Sequence, residues 1–331
     1  MNTNINLDKR RHLLATSAIA VLGLGPALAI AQAQPFPSRP ITFVVPFAAG
    51  SATDQLARAL GQSLTNETGQ PVVVENKAGA SGMIAAAAVA KAPADGYTVL
   101  ITTNTTHAAN EHLYKKLSYD PVKDFAPITA LGKGGQVLVV SPSSSHKTVA
   151  DLIADAKKSP GKLNFGSGSS SSRIAGELFQ QMAGVQILHV PYKSNPNAIT
   201  DVLGGQINMM FADMSTGVPQ IKSEKLRALG VTASRRSPML PNVPTIAEAG
   251  VPGYEMGYWF AAYSPAGTPP AAVQRLNDLL VRATASPQAK SFFDNSGSEA
   301  FTSTPDGLAQ FQAAETRKWG SIIKAAGIEA E

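Results

Sequence analysis

The sequence contains no cysteine among its 331 residues. That excludes disulfides, thiolate metal sites and cysteine nucleophiles. Charge is sparse at 15%, and aromatic residues make up only 6%. With 44% hydrophobic residues the body is nonetheless globular, not disordered. No basic run with interleaved aromatics is present, which argues against nucleic acid as a partner. Beyond the first 33 residues no stretch is apolar enough to span a bilayer, and no short-period repeat signals a solenoid. Catalytic patterns are missing too. There is no Gly-x-Ser-x-Gly elbow, and Gly161-Lys162-Leu163 fails the phosphate-loop pattern at its third position. Ser171 stands where a dinucleotide fingerprint needs its third glycine. His107 and His112 are five apart, wrong for a metal pair on one helix face. No cofactor is implied.

What is present begins with a targeting segment. Lys9-Arg10-Arg11 is a basic start, Leu13 to Ile30 is apolar, and Ala29-Ile30-Ala31 and Ala31-Gln32-Ala33 offer small-x-small cleavage sites. Residues 1–33 therefore read as a signal peptide, and the protein as periplasmic. A membrane anchor fits less well, because Gly23, Gly25 and Pro26 interrupt the run. The segment carries three basic residues and one acidic residue, so the rest holds 25 against 22, a net +3.

The stretch from Ile41 to Arg58 organises the remainder. Ile41-Thr42-Phe43-Val44-Val45 predicts a buried strand, and after the small-residue turn Ala48 to Ala52 an apolar-periodic helix, capped by Ser51 or Thr53, runs through Leu60 and Leu64. The small-residue turn between them leaves free N–H groups at the helix start, an anion site by geometry and dipole. An ordinary βα turn is the alternative. Val72-Val73-Val74, the helix from Met83, and Thr98 to Thr103 continue a β-α-β-α-β order, hence a parallel sheet with helices on its faces. Extended stretches are predicted at Pro127–Leu131, Gln136–Val140, Leu163–Phe165, Gln186–Tyr192, Ile207–Phe211, Leu226–Thr232 and Trp259–Tyr263. Helices are predicted at Val149–Lys158, from Arg173, at Ala198–Leu203, at Ala271–Ala285 and at Pro305–Ala325. The strand–small loop–helix design recurs at Gly166 to Ser172, which suggests two lobes, each contributing one loop.

In order and spacing, several short motifs resemble those of the Bug family, the extracytoplasmic substrate-binding proteins of tripartite tricarboxylate transporters. They include Val45-Pro46-Phe47 with Asp54, Val74-Glu75-Asn76-Lys77, Ala94-Asp95-Gly96-Tyr97-Thr98, Tyr119-Asp120-Pro121, His189-Val190-Pro191-Tyr192-Lys193, Leu203-Gly204-Gly205-Gln206 and Pro265-Ala266-Gly267-Thr268-Pro269. The resemblance covers essentially all the chain after the targeting segment. It implies an α/β, two-lobed periplasmic binding protein fold, type II-like, with two crossover strands. The expected lobes are 34–136 with 256–331, and 137–255. It also implies a small organic carboxylate as ligand, permease subunits as membrane partners, a monomer, and no enzymatic activity. Ser51 stands where the family often has a second glycine, and Arg173-Ile174 where many members carry His-Leu.

The residues expected to touch the ligand follow from donor chemistry. Phe47, Ala49, Gly50, Ser51, Ala52 and Asp54 form the first loop; Asp54 either fixes the turn or meets a ligand hydroxyl. Gly166, Ser167, Gly168, Ser169, Ser170, Ser171 and Ser172 supply amides and hydroxyls from the second. Thr103 and Asn104 lie just past a strand end, where open α/β sheets bind ligands. Tyr192 is a cleft wall or a packed tyrosine, and His107 a structural histidine. Arg173 is either a fork for a far carboxylate or a surface arginine. Arg173 and the serine loop tilt the expected ligand towards a dicarboxylate, possibly an aromatic one. An exported hydrolase with an unfamiliar triad, and a sensory binding protein serving a membrane receptor, are the competing readings.

Overall fold

The computed structural model describes Met1 and residues 36–331. The expected signal peptide, 1–33, lies outside the described residues apart from Met1. Strand β1 (Ile41–Val45) is almost wholly buried, as its β-branched run requires. Helix α1 (Ala52–Thr68) starts where the Ser51 hydroxyl accepts the Asp54 N–H, and stops at Gly69 with φ 70°. Then come β2 (Val72–Asn76), α2 (Met83–Ala90) and β3 (Thr98–Thr103). A π-helical turn, Thr105–Ala109, and α3 (Asn110–Leu113) follow where the sequence predicts only a loop. Packing decides this segment: His107 is fully buried, stacked on Tyr263 with ring centres 3.8 Å apart.

The next strand, β4 (Phe125–Val140), is sixteen residues long and merges two expected extended stretches. After it come α4 (Val149–Lys158), β5 (Asn164–Ser167), α5 (Ser170–Ala183), β6 (Leu188–Pro191) and α6 (Asn195–Leu203). The second loop is thus shorter than expected. Gly166 and Ser167 belong to the strand, and Ser170 to Ser172 form the first helical turn. Then follow β7 (Met209–Asp213), α7 (Met214–Lys222), β8 (Arg227–Val231) and β9 (Gly257–Pro265). The chain closes with α8 (Pro270–Thr284), α9 (Pro287–Ser296), β10 (Glu299–Ala300) and α10 (Pro305–Ala325).

β4 holds the two halves of the sheet together. In one half the order is β2-β1-β3-β9-β4, with β2, β1 and β3 parallel as predicted. There β4 runs antiparallel to β9 from Phe125–Pro265 to Gly135–Gly257. At Gln136 it changes partners and pairs with β7 and β8, beyond which lie β5 and β6. The return from β8 to β9 passes beside that switch: Gln136 N–H donates to Thr232 Oγ1 at 2.8 Å, and Met256 N–H to the Thr232 carbonyl at 2.9 Å. These are the two crossings of a two-lobed periplasmic binding protein fold.

Three apolar clusters hold the body. One packs α1, α8 and α9 on the first half through Phe43, Leu56, Leu60, Leu276 and Phe260. Another packs α6 and α7 on the second through Val139, Val202, Met210 and Val218. The largest, with Leu100, Phe165, Phe179, Trp259 and Trp319, extends across both. Each such buried side chain contributes about 2 kcal/mol of transfer free energy. Among the described residues no helix is long and apolar enough to cross a membrane.

Candidate functional site

Four helix starts meet at one small cavity between the halves. Ser51 and Thr53 come from the start of α1, Ser169 and Ser171 from α5, Asn195 from α6, and Asp213 from the cap of α7. Phe47, Thr103, Gly168, Tyr258 and Phe260 complete the wall. The opening amides of α1 (Ala52, Thr53) and α5 (Ser170, Ser171) have no acceptor within their own helices. Helix dipoles add partial positive charge at each start. The wall carries no lysine, arginine or histidine. Neutral donors are therefore what it offers to an anion, a chemistry suited to a carboxylate in a semi-dry site. The cavity measures only about 10 Å³, no more than a single water molecule needs.

The first loop is built around Asp54. Its carboxylate accepts the Gly50 N–H at 2.8 Å, Arg58 Nε at 3.1 Å and Asn76 Nδ2 at 3.0 Å. Burial opposes its charge, but Arg58, Gly50 and Asn76 outweigh that and hold the carboxyl below its usual range. Asp54 is thereby turned away from the cavity wall and occupies the Gly50 amide, so both act as scaffold for the turn. Gly50, at φ 80°, supplies the left-handed residue that the turn requires. Ala49 is exposed, and the Ala52 side chain is buried in the core.

The second loop is held as firmly. Gly168 N–H donates to Asn195 Oδ1 at 3.0 Å, and a Cβ on Gly168 would lie 1.9 Å from the Ser194 carbonyl carbon. Ser169 caps α5 by accepting the Ser172 N–H at 3.2 Å, while the Ser172 hydroxyl donates to the Phe211 carbonyl. Ser167 bonds His189 Nε2, and Gly166 packs beneath Ile207 and Tyr192. Ser170 and Ser171 reach across to the other half: Ser170 Oγ donates to Asn110 Oδ1 at 2.9 Å, and Asn104 Nδ2 donates to Ser171 Oγ at 3.1 Å.

Of the expected contacts, Phe47, Ser51, Thr103, Gly168, Ser169 and Ser171 line the cavity. Arg173 does not. Its Nη1 lies 2.8 Å from Glu331 Oε1, and the side chain is 14% exposed, so here it pairs with Glu331 and does not face the cavity. Tyr192 also turns away, donating its hydroxyl to Asp201 at 2.7 Å. His107 is a structural histidine, its Nδ1 2.8 Å from Thr106 Oγ1, and burial lowers its pKa to about 3.

Five wall residues escape the sequence reading: Thr53, Asn195, Asp213, Tyr258 and Phe260. The signal for Asp213 is the rule that ligands meet strand C-terminal ends, had β7 been read to its true end. Its carboxyl accepts Asn195 Nδ2 at 2.8 Å and, more weakly, Gln136 Nε2 at 3.5 Å. Burial pushes it up to about 6 against the pull of both amides. Tyr258 is 4% exposed, its hydroxyl sits beside Ser298 and Gly134, and burial raises it far above the ordinary phenol range.

This architecture has known counterparts. The family model described as "Tripartite tricarboxylate transporter family receptor" matches residues 56–328. An R. palustris protein solved with adipate superposes with a TM-score of 0.86 at 37% identity, covering 89% of this chain and 100% of that one. The periplasmic binding protein BugD superposes at 0.85 and 32%, with 89% and 100% covered. MatC from Rhodopseudomonas palustris, with bound malate, gives 0.82 and 31%, covering 87% and 100%.

Proposed function

The chain belongs to the tripartite tricarboxylate transporter receptor family, and on that premise we propose that it captures a small dicarboxylate for the membrane subunits of such a transporter. The family consists of substrate-binding receptors that work with membrane transporter components, not of enzymes, which removes the hydrolase reading. Its members are periplasmic binding proteins. The observation that carries the ligand class is the meeting of four helix starts on a wall without a cationic side chain. Phe47, Tyr258 and Phe260 add apolar and aromatic surface, suited to a hydrocarbon or ring between two acid groups. Adipate and malate, found in two relatives above 30% identity, are both dicarboxylates and support the reading.

The proposed lobes are 34–136 with 256–331, and 137–255. Their support is the change of partner along β4 at Gln136 and the start of β9 at Gly257. One chain supplies the whole cleft, so we propose a monomer, exported by a signal peptide over residues 1–33. The test is a thermal-shift screen at neutral pH across aliphatic and aromatic mono-, di- and tricarboxylates, with diamides as neutral controls. A dicarboxylate at one hundred times its Kd adds about 2.7 kcal/mol and raises Tm by several degrees. Stabilisation by neutral or cationic compounds alone overturns the proposal.

A further inference from the structure

The carboxylate reading leaves one wall residue unexplained. Asp213 is an acid in a cavity built for acids, and it is the one charged side chain on that wall. Gln136 faces it from β4, Asn195 from α6, and Tyr258 lies near it from β9. Thr216 of its own helix bonds its carbonyl, not its carboxyl. The hydroxyls of Ser51, Thr53, Thr103, Ser169 and Ser171 make up the remaining polar wall. Helix α9, packed against α7, keeps Lys290 and Asp294 exposed, and Lys133 of β4 is exposed as well. Apart from Asp213, Tyr258 is the titratable group on the wall, and it stays a neutral phenol. No cation is therefore at hand to hold Asp213 and a ligand dianion together.

Two carboxylates side by side in a dry site cannot both be ionised; one keeps a proton. We propose that Asp213 enters the complex protonated and donates that proton in a hydrogen bond to the ligand's second carboxylate, while the starts of α1 and α5 hold the first. The site has the parts for this role. Asn195 Nδ2 donates to one carboxyl oxygen at 2.8 Å and Gln136 Nε2 only at 3.5 Å to the other, so the weakly held oxygen on the Gln136 side is the one placed to carry the proton while the Asn195 bond is kept. With the halves together as here, burial alone brings Asp213 to a pKa of about 6, so a proton is available near neutral pH at small cost. Capture of a dianion then takes up one proton per ligand above that pKa. The hydroxyl of a hydroxy acid, offered to an ionised Asp213, would take up none.

This inference rests on the carboxylate reading, and calorimetry separates the two. Adipate is titrated into the full exported chain at pH 7.5 in two buffers of different ionisation enthalpy, and again from pH 6 to 8. The expected result is uptake of close to one proton, with Kd weakening by about tenfold between pH 7 and 8. Asp213→Asn should abolish the uptake and flatten the pH profile of the adipate binding that remains. The wild-type uptake stands as a test even if that variant folds poorly. Tight adipate binding without proton uptake overturns the inference and leaves the carboxylate reading intact. So does binding of malate alone, without uptake and lost in Asp213→Asn, because Asp213 is then an ionised acceptor for the hydroxyl. If no mono-, di- or tricarboxylate binds the wild type at any pH, the carboxylate reading fails and takes this inference with it.

Discussion

Gly168 and Gly50 are required for different reasons, and the difference is measurable. Gly50 holds φ at 80°, but a Cβ there meets nothing within 4 Å. Gly50→Ala should cost only the left-handed backbone penalty, about 1 kcal/mol. At Gly168 a Cβ would lie 1.9 Å from the Ser194 carbonyl carbon and 2.0 Å from the Asn195 nitrogen. Both are backbone atoms, so no rotamer relieves the clash and the starts of α5 and α6 must move apart. Gly168→Ala should therefore cost roughly 3 kcal/mol, read as a lower urea midpoint. Equal losses in the two variants would contradict this account. Residue chemistry was partly legible in the sequence. The small turn announced a helix start on the cavity wall, and Asp54 was foreseeable as its brace. Arg173 was not foreseeable, because its partner Glu331 lies at the far end of the chain and only the fold brings them together.

Helix boundaries were readable where local chemistry fixes them. α4 begins at Thr148, whose side chain and Asp151 form a reciprocal capping box. α10 begins at Thr304 with Pro305 in its first turn, and both helices were read with their true ends. α7 was missed because Gly217 and Pro219 look like breakers, yet it packs against α6, α9 and β4. That omission ended β7 two residues early and hid Asp213. α5 matters most for the site, because its first turn bonds to both Asn110 and Asn104 in the other half. These bonds latch the closed form, and a lost buried bond of this kind is worth about 1 kcal/mol. Ser170→Ala keeps the helix start and removes one latch. Adipate release measured by stopped flow should then quicken by roughly fivefold to tenfold, with the association rate little changed. An unchanged release rate would show that Ser170 merely packs.

At the scale of the whole molecule, the cavity is too small for the function. About 10 Å³ is enclosed, whereas ligand pockets span roughly 300–1,000 Å³. A ligand of that size is therefore expected to enter by separation of the two halves. The alternation of strands and helices made the fold class legible, but closure is a property of tertiary contacts and left no trace in the sequence. The geometry of the crossings suits a hinge. β4 is one continuous strand that exchanges β9 for β7 and β8 around Gly134, Gly135 and Gln136. The neighbouring return is tied to it at Thr232. Gly134 has no room for a side chain, since a Cβ would lie 2.6 Å from Ser298 Oγ and 2.9 Å from Tyr258 Oη. A bend at this short, tightly packed segment is what we expect, with each half rotating about it as a body. Small-angle scattering on the chain without its expected signal peptide checks this. The free protein should be more extended than the profile calculated from residues 36–331, with saturating adipate bringing the two into agreement. If the free protein already matches the closed profile and adipate binds without any change, the hinge account fails and the ligand must enter by a local route.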